Sequence, residues 1–334
     1  MSRARARAVA VLACVAVMMP GYVEGYIHLA IDTGGQTMRL TWDIPRPRWF
    51  ANDRGVPGVS PSQFQAEVEQ AFGTWEAVPT ASIAFQFAGV TSAAPFEDDD
   101  LSVFGFEDAP ELDRVLGATT FVVDVLTGEI VESDVFFNSV FPWSVNPAGE
   151  AGRFDLRSVA THEIGHFIGL GHSAIGETEL RADGTRRVLA TGAVMFPISL
   201  GRGVVADRTL QPDDIAGASD LYPDGGFREE TGVITGRARL GNAGVLGAHV
   251  VAFNPRTGTL IGGFAVSQDG TFRIAGLTPG PHVIRVEPVD DGDIESFLSL
   301  SGVNVDFQVA FHPRLIVAPA GGAGPSFDVT LQAK

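Results

Sequence analysis

The chain has 334 residues, 45% of them hydrophobic and 19% charged, which is enough apolar material for two folded cores and excludes a disordered chain. Forty acidic residues against 23 basic ones give a net charge of −17, which leaves no electrostatic footprint for nucleic acid, disfavours anionic membranes and makes a self-repelling monomer the expectation. The single cysteine, Cys14, rules out a disulfide within the chain and a cysteine-held metal, so any metal must rest on His, Asp or Glu.

The chain opens with Arg3, Arg5 and Arg7, then an unbroken apolar run over 8–19 that Pro20 and Gly21 end. A charged start, a short apolar core and a small-residue exit at Val23 and Gly25 are the layout of a cleavable signal peptide over 1–25, with the mature start near Tyr26. An uncleaved anchor and a lipid-modified Cys14 are the alternatives, but 12 apolar residues are too few to span a bilayer. Removing 1–25, which carries three arginines against Glu24, leaves −19. No later stretch reaches transmembrane length.

Residues 26–224 read as a first domain. Strands are predicted over 38–44, 82–87, 101–106, 118–125 and 130–137, with Thr127-Gly128 as the turn between the last two. Phe64, Val68, Ala71, Phe72 and Trp75 recur at helical spacing, so the pattern predicts a helix over 62–77 behind Pro61. Residues 151–223 are more helical, and Asp224-Gly225-Gly226 reads as a linker. From 230 to 334 short alternating runs at 233–240, 248–253, 259–266, 271–274 and 282–286 are separated by turn residues, with a further edge strand at 327–332. That spacing predicts a small antiparallel β-sandwich and an α+β chain overall.

The chemistry concentrates at His162-Glu163-Ile164-Gly165-His166-Phe167-Ile168-Gly169-Leu170-Gly171-His172. His162 and His166, four apart, lie one turn above each other on a helix that Asp155 can cap. Glu163, about 100° round the same helix, can lean over a metal without binding it. Gly169 allows a turn that brings His172 back to the same ion. Three neutral imidazoles leave the fourth position of a zinc ion open, the catalytic rather than the structural arrangement. His28, His249, His282 and His312 have no such company and read as structural histidines.

With these residues the sequence resembles the metzincin zinc endopeptidases, and Ser173 after the third histidine favours the matrixin branch. The likeness extends to Ala193-Val194-Met195-Phe196-Pro197, similar to the family's Met-turn, and to Leu210-Gln211-Pro212-Asp213-Asp214-Ile215, similar to its closing helix. It also takes in Ala71-Phe72-Gly73-Thr74-Trp75 on the first helix and Asp134-Val135-Phe136-Phe137-Asn138 on the preceding strand. A metzincin catalytic domain with a twisted mixed sheet and active-site helices is therefore implied for 26–224. The resemblance makes His162, His166 and His172 the ligands of one zinc, Glu163 the general base and Met195 the residue supporting the metal from below. It makes Phe196, Pro197 and Ile198 the wall of the pocket after the cleaved bond, and 117–122 the edge strand that binds substrate. Asp213 and Asp214 read as braces of the last helix.

There are departures from the family. No histidines between 95 and 150 can hold its structural zinc, and no cysteine stands ready for thiol latency near Arg54-Gly55-Val56-Pro57. Asp98-Asp99-Asp100 is the candidate for calcium, with a solvated acidic loop as the simpler reading, and 174–191 is a longer loop than usual. The C-terminal part resembles the carboxypeptidase regulatory-like, transthyretin-like sandwich through Gly232-Val233-Ile234-Thr235-Gly236, Gly247-Ala248-His249-Val250 and Asp269-Gly270-Thr271-Phe272. Together these imply a secreted enzyme that hydrolyses peptide bonds in protein or peptide substrates by metal-activated water. The competing readings are a catalytically inactive secreted binding or adhesion protein on the same scaffold, and a zinc hydrolase of non-peptide substrates.

Overall fold

The computed structural model describes residues 7–10, 28–32, 37–181, 186–289, 294–298 and 301–334. Strands β1 (Arg7–Ala10), β2 (Arg48–Asn52), β3 (Gln86–Thr91), β4 (Val103–Glu107), β5 (Gly117–Asp124) and β6 (Ile130–Asn138) form one mixed sheet in the order β1-β5-β6-β4-β2-β3. The pairs β2/β3, β2/β4 and β4/β6 are parallel, whereas β5/β6 and β1/β5 are antiparallel. The β5–β6 connection is the predicted turn, with the Gly128 amide donating to the Asp124 carbonyl at 2.8 Å. Most of the expected leader, including Cys14, and the expected mature start at Tyr26 lie outside the described residues; the leader's described piece is β1, paired with Phe121–Asp124.

Helix α1 (Pro61–Glu76) begins where Ser60 and Gln63 cap each other's backbone amides and Pro61 presets the first turn. It buries Phe64, Val68, Ala71, Phe72 and Trp75 on one face. Helix α2 (Leu156–Phe167) is capped by Asp155, which accepts from the Ser158 amide at 2.9 Å and pairs with Arg208. The Trp75 indole donates to the Thr161 carbonyl at 2.8 Å, and Arg157 meets Glu67 at 2.6 Å, so α1 locks onto α2 at both ends of the contact. Between the sheet and these helices lies an aromatic core. Trp49 stacks on Phe72 at 4.7 Å, and Phe104 touches Phe72 at 5.1 Å and Phe167 at 5.5 Å.

Several segments differ in detail from the sequence reading. The run 38–44 forms only Thr37–Arg39, paired with Ala30–Asp32; Leu40 and Trp42 are apolar because they enter the core, where the Trp42 indole donates to the Phe167 carbonyl at 2.8 Å. The stretch 174–191 is a hairpin, β7 (Gly176–Leu180) against β8 (Arg186–Thr191). The linker at 224–226 is tied down, since Asp224 accepts from the amides of Gly226 and Phe227 and Phe227 is buried.

The C-terminal part has two sheets around a common core. One joins β9 (Gly232–Leu240), β12 (Thr271–Leu277) and β14 (Phe327–Leu331); the other joins β10 (His249–Phe253), β11 (Leu260–Phe264) and β13 (Gly280–Glu287). Ile234, Phe272, Val250 and Ile284 meet between them. The pairing is not antiparallel throughout, because β14 returns to lie parallel along β9. Helix α3 (Pro212–Leu221) packs on this part, with the Asp220 carboxylate meeting Arg273 of β12 at 3.2 Å.

Phe104→Ala should cost about 3–5 kcal/mol in equilibrium chemical denaturation, because it empties the centre of the aromatic core.

Candidate metal and active site

Three imidazoles converge where α2 ends. His162 and His166 come from successive turns of α2, and His172 from the chain beyond the bend at Gly169. Gly169 has φ of +99°, and a Cβ there would collide with the Leu40 carbonyl, so neither the bend nor the close approach tolerates a side chain. The ring centroids lie 4.8, 5.3 and 4.7 Å apart, and one nitrogen of each ring falls within 4.8 Å of the others.

The far side of each ring explains this convergence. His162 Nδ1 lies 2.8 Å from the Val194 carbonyl, His166 Nδ1 2.8 Å from the Leu170 carbonyl, and His172 Nδ1 2.6 Å from the Ser296 carbonyl. A carbonyl only accepts, so each Nδ1 carries the proton and each Nε2 presents a lone pair. Burial holds all three rings neutral by lowering their pKa, His172 to about 3. His166 Nε2 and His172 Nε2 then face each other at 3.1 Å as two lone pairs. Such a pair is repulsive unless a cation lies against it. Two nitrogens bound to tetrahedral zinc at about 2.0–2.1 Å sit about 3.3 Å apart, so the donor set and its spacing fit zinc.

Glu163, on the same helix, is 2% exposed, and its Oε2 accepts from the Thr119 hydroxyl of β5 at 2.8 Å. Burial pushes its carboxyl up to about 7 against the Thr119 hydrogen bond. Met195 is 3% exposed, with its sulfur set against Gly165 of α2. A Cβ on Gly165 would land on the Met195 sulfur, which is why the helix carries a glycine between two histidine turns. The turn around Met195 is held by Asp214, whose carboxylate accepts from the amides of Val194, Met195 and Gln211 at 2.8, 3.0 and 2.8 Å. Asp214 thus braces this turn as well as capping α3. Asp213 accepts from the Ser173 hydroxyl at 2.6 Å and from the Gly262 amide at 2.8 Å.

Phe196 is buried, whereas Pro197 and Ile198 are half-buried. Phe196 borders a cavity of about 200 Å³ that Ala174, Gly176, Val289 and Phe297 also line. Asp98–Asp100 lie on an exposed loop whose charges act on Glu132, and none of them joins the imidazole cluster. His28, His249 and His282 are buried elsewhere, and none joins the cluster. Sequence reasoning missed Thr119, Gly165 as the seat of the methionine, and the Ser296 carbonyl. Only Gly165, inside the motif, carried a local signal.

The sequence model of the family Matrixin matches residues 49–223. Metalloendoproteinase 4-MMP of Arabidopsis thaliana is 26% identical over 192 residues, covering 53% of this chain and 48% of that protein. Metalloendoproteinase 1 of Glycine max is 29% identical over 211 residues, covering 56% and 57%, and metalloendoproteinase 2-MMP of Arabidopsis thaliana is 28% identical over 197 residues, covering 55% and 45%. The chain spans about half the length of these curated relatives.

Gly165→Ala should destabilise the fold by roughly 1–3 kcal/mol through overpacking. Adding Met195→Ala should recover part of that loss, so that the double variant is more stable than the summed single losses require, read from the denaturation midpoints of the four proteins.

Proposed function

This chain belongs to the matrixin family, whose model covers just over half of it, and we propose that it is a secreted zinc-dependent endopeptidase. The observation that carries the reading is the set of three imidazoles, two buried and one half-buried, whose Nδ1 atoms are all spent on carbonyls, with Glu163 beside them. His162, His166 and His172 would hold the zinc. Bound there, zinc would acidify water and stabilise negative charge developing on a carbonyl oxygen.

Glu163 is the general base of this scheme. Its carboxylate takes a proton from the attacking water as the new C–O bond forms at the scissile carbonyl carbon. It then delivers that proton to the amine nitrogen as the C–N bond breaks. A group pushed up to about 7 by burial suits both steps near neutral pH, and the Thr119 hydroxyl aims it. Substrate would lie extended beside 117–122 of β5, giving backbone hydrogen bonds to many sequences. With 1–25 removed as a signal peptide, β1 goes and β5 becomes the outer strand of the sheet. Phe196, Pro197 and Ile198 would wall the pocket beyond the cleaved bond. The two C-terminal sheets are read as a transthyretin-like sandwich, and among the described residues no helix is long and apolar enough to cross a membrane.

Calcium belongs to the proposal as a second cation at the loop Asp98–Asp100. Glu132 and Asp134 are buried against its charges, the Glu132 Oε2 has no hydrogen-bond partner among the described residues, and Asp134 accepts from the Phe96 and Val103 amides. Burial raises both carboxyls to about 7, with Asp134 adding like charge at Glu132. An acid whose folded pKa is raised binds its proton more tightly in the native state, so stability is lost as pH rises from about 4 through 7.

Glu163→Gln should lower casein or gelatin cleavage by about 10²–10⁴-fold while zinc content stays at wild-type level. Equal clearance by variant and wild type would refute the enzyme and favour the inactive binding protein. Chelation should abolish cleavage, and added zinc should restore it. In thermal melts, calcium should raise the midpoint more at pH 8 than at pH 5; an equal or absent shift removes the calcium site.

A further inference from the structure

The third imidazole differs from the other two. The carbonyls that hold His162 and His166 come from the domain that carries the rings, Val194 and Leu170. The carbonyl that holds His172 belongs to Ser296, 124 residues further along the chain, in the short helix α4 (Ile294–Phe297) that follows β13. Phe297, the next residue, is 5% exposed and packs on Phe196 with ring centroids 5.7 Å apart. Leu298 is also buried, and both side chains belong to the core cluster that includes Ile164, Phe167 and Met195.

The seat of α4 is part of a wider junction. Asp213, which holds the Ser173 hydroxyl next to His172, also accepts from the Gly262 amide on β11. Asp220 at the end of α3 meets Arg273 of β12, and a Cβ on Gly276 of β12 would strike Ala216 of α3. Both sides of His172 are therefore referred to the C-terminal part, one through Ser296 of α4 and one through Ser173 and Asp213 to β11.

We infer that the C-terminal part is a working component of the metal site, with 294–298 positioning the His172 ring and Phe297 anchoring that segment. The inference rests on the zinc site of the proposed function, and not on peptide cleavage. A histidine ring has two free torsions and two neutral tautomers. A carbonyl at hydrogen-bond distance from Nδ1 selects one of each, and partners of this kind change metal affinity about 10–100-fold when removed. Because the acceptor is backbone, no side chain at 296 can delete it; its placement depends on the apolar seat of Phe297. Phe297 is thus a positioning residue, and the catalytic half without the C-terminal part would keep its first two ligands in place and lose the third's orientation.

The test uses the full chain with Phe297→Ala, with Phe297→Leu as the conservative variant, and with Val329→Ala as a truncation in the C-terminal core remote from the rings. Zinc affinity is measured by competition with a chromophoric chelator, ligand geometry by the visible spectrum of the cobalt(II)-substituted protein, and folding by circular dichroism. Phe297→Ala is expected to weaken zinc binding 10–100-fold and to alter the cobalt bands, Phe297→Leu to retain both, and Val329→Ala to lower the melting temperature without touching either. Should Phe297→Ala not fold, replacement of 294–298 by Gly-Ser-Gly-Ser-Gly gives the same comparison. Wild-type zinc affinity and cobalt bands in a folded Phe297→Ala or replacement protein overturn the inference, as does equal weakening in Val329→Ala. If the wild-type chain itself binds no zinc tightly, the underlying zinc site falls as well; if it binds zinc and cleaves nothing, only the peptidase reading falls.

Discussion

Three hydrogen bonds from imidazole Nδ1 to backbone carbonyl govern the centre of this protein. Val194, Leu170 and Ser296 each take the one proton a neutral ring can give, and the opposite nitrogens are left as lone pairs crowded into one small volume. Burial makes protonation an expensive way out, since desolvation lowers the pKa of all three rings. The remaining relief is a cation, and the nitrogen donor set selects a metal of zinc's kind. The rest of the fold can be understood as the means by which three carbonyls and three rings are brought to these positions.

Each carbonyl is fixed by a different device. Leu170 follows the left-handed bend at Gly169 and pairs with His28, so its position is a matter of backbone conformation and backbone pairing. Val194 sits in the turn that Asp214 grips through two amides, so its position depends on a buried carboxylate and on the helix that carries it, which starts at Gln211 and Pro212. Ser296 is placed by packing, through Phe297 and Leu298, from a part of the chain with its own sheets. Local, medium-range and domain-level structure thus contribute one acceptor each.

The same division explains the cost of the site. Glu163, Asp213 and Asp214 are carboxyl groups raised by burial, each held by donors rather than by a cation. These groups spend stability on placement, and the aromatic core of Trp49, Phe72, Phe104 and Phe167 beneath α2 supplies the compensating apolar burial.

What the sequence determined by itself is whatever depends on near neighbours. The spacing of His162 and His166, the cap at Asp155, the bend at Gly169, the helix of Phe64 to Trp75 and the turn at Thr127-Gly128 are set by backbone periods and local sterics. Residues 38–44 misled because alternation of apolar and polar residues says which side chains are buried, not whether the backbone joins a ladder. Tertiary structure alone decided that Thr119 reaches Glu163, that the methionine sulfur fills the gap at Gly165, that β14 runs parallel to β9, and that the proton of the third ring goes to a carbonyl 124 residues away. These contacts join backbone and common side chains across long loops, and a carbonyl is the same in every residue, so no residue type marks the one that a fold will bring to a histidine.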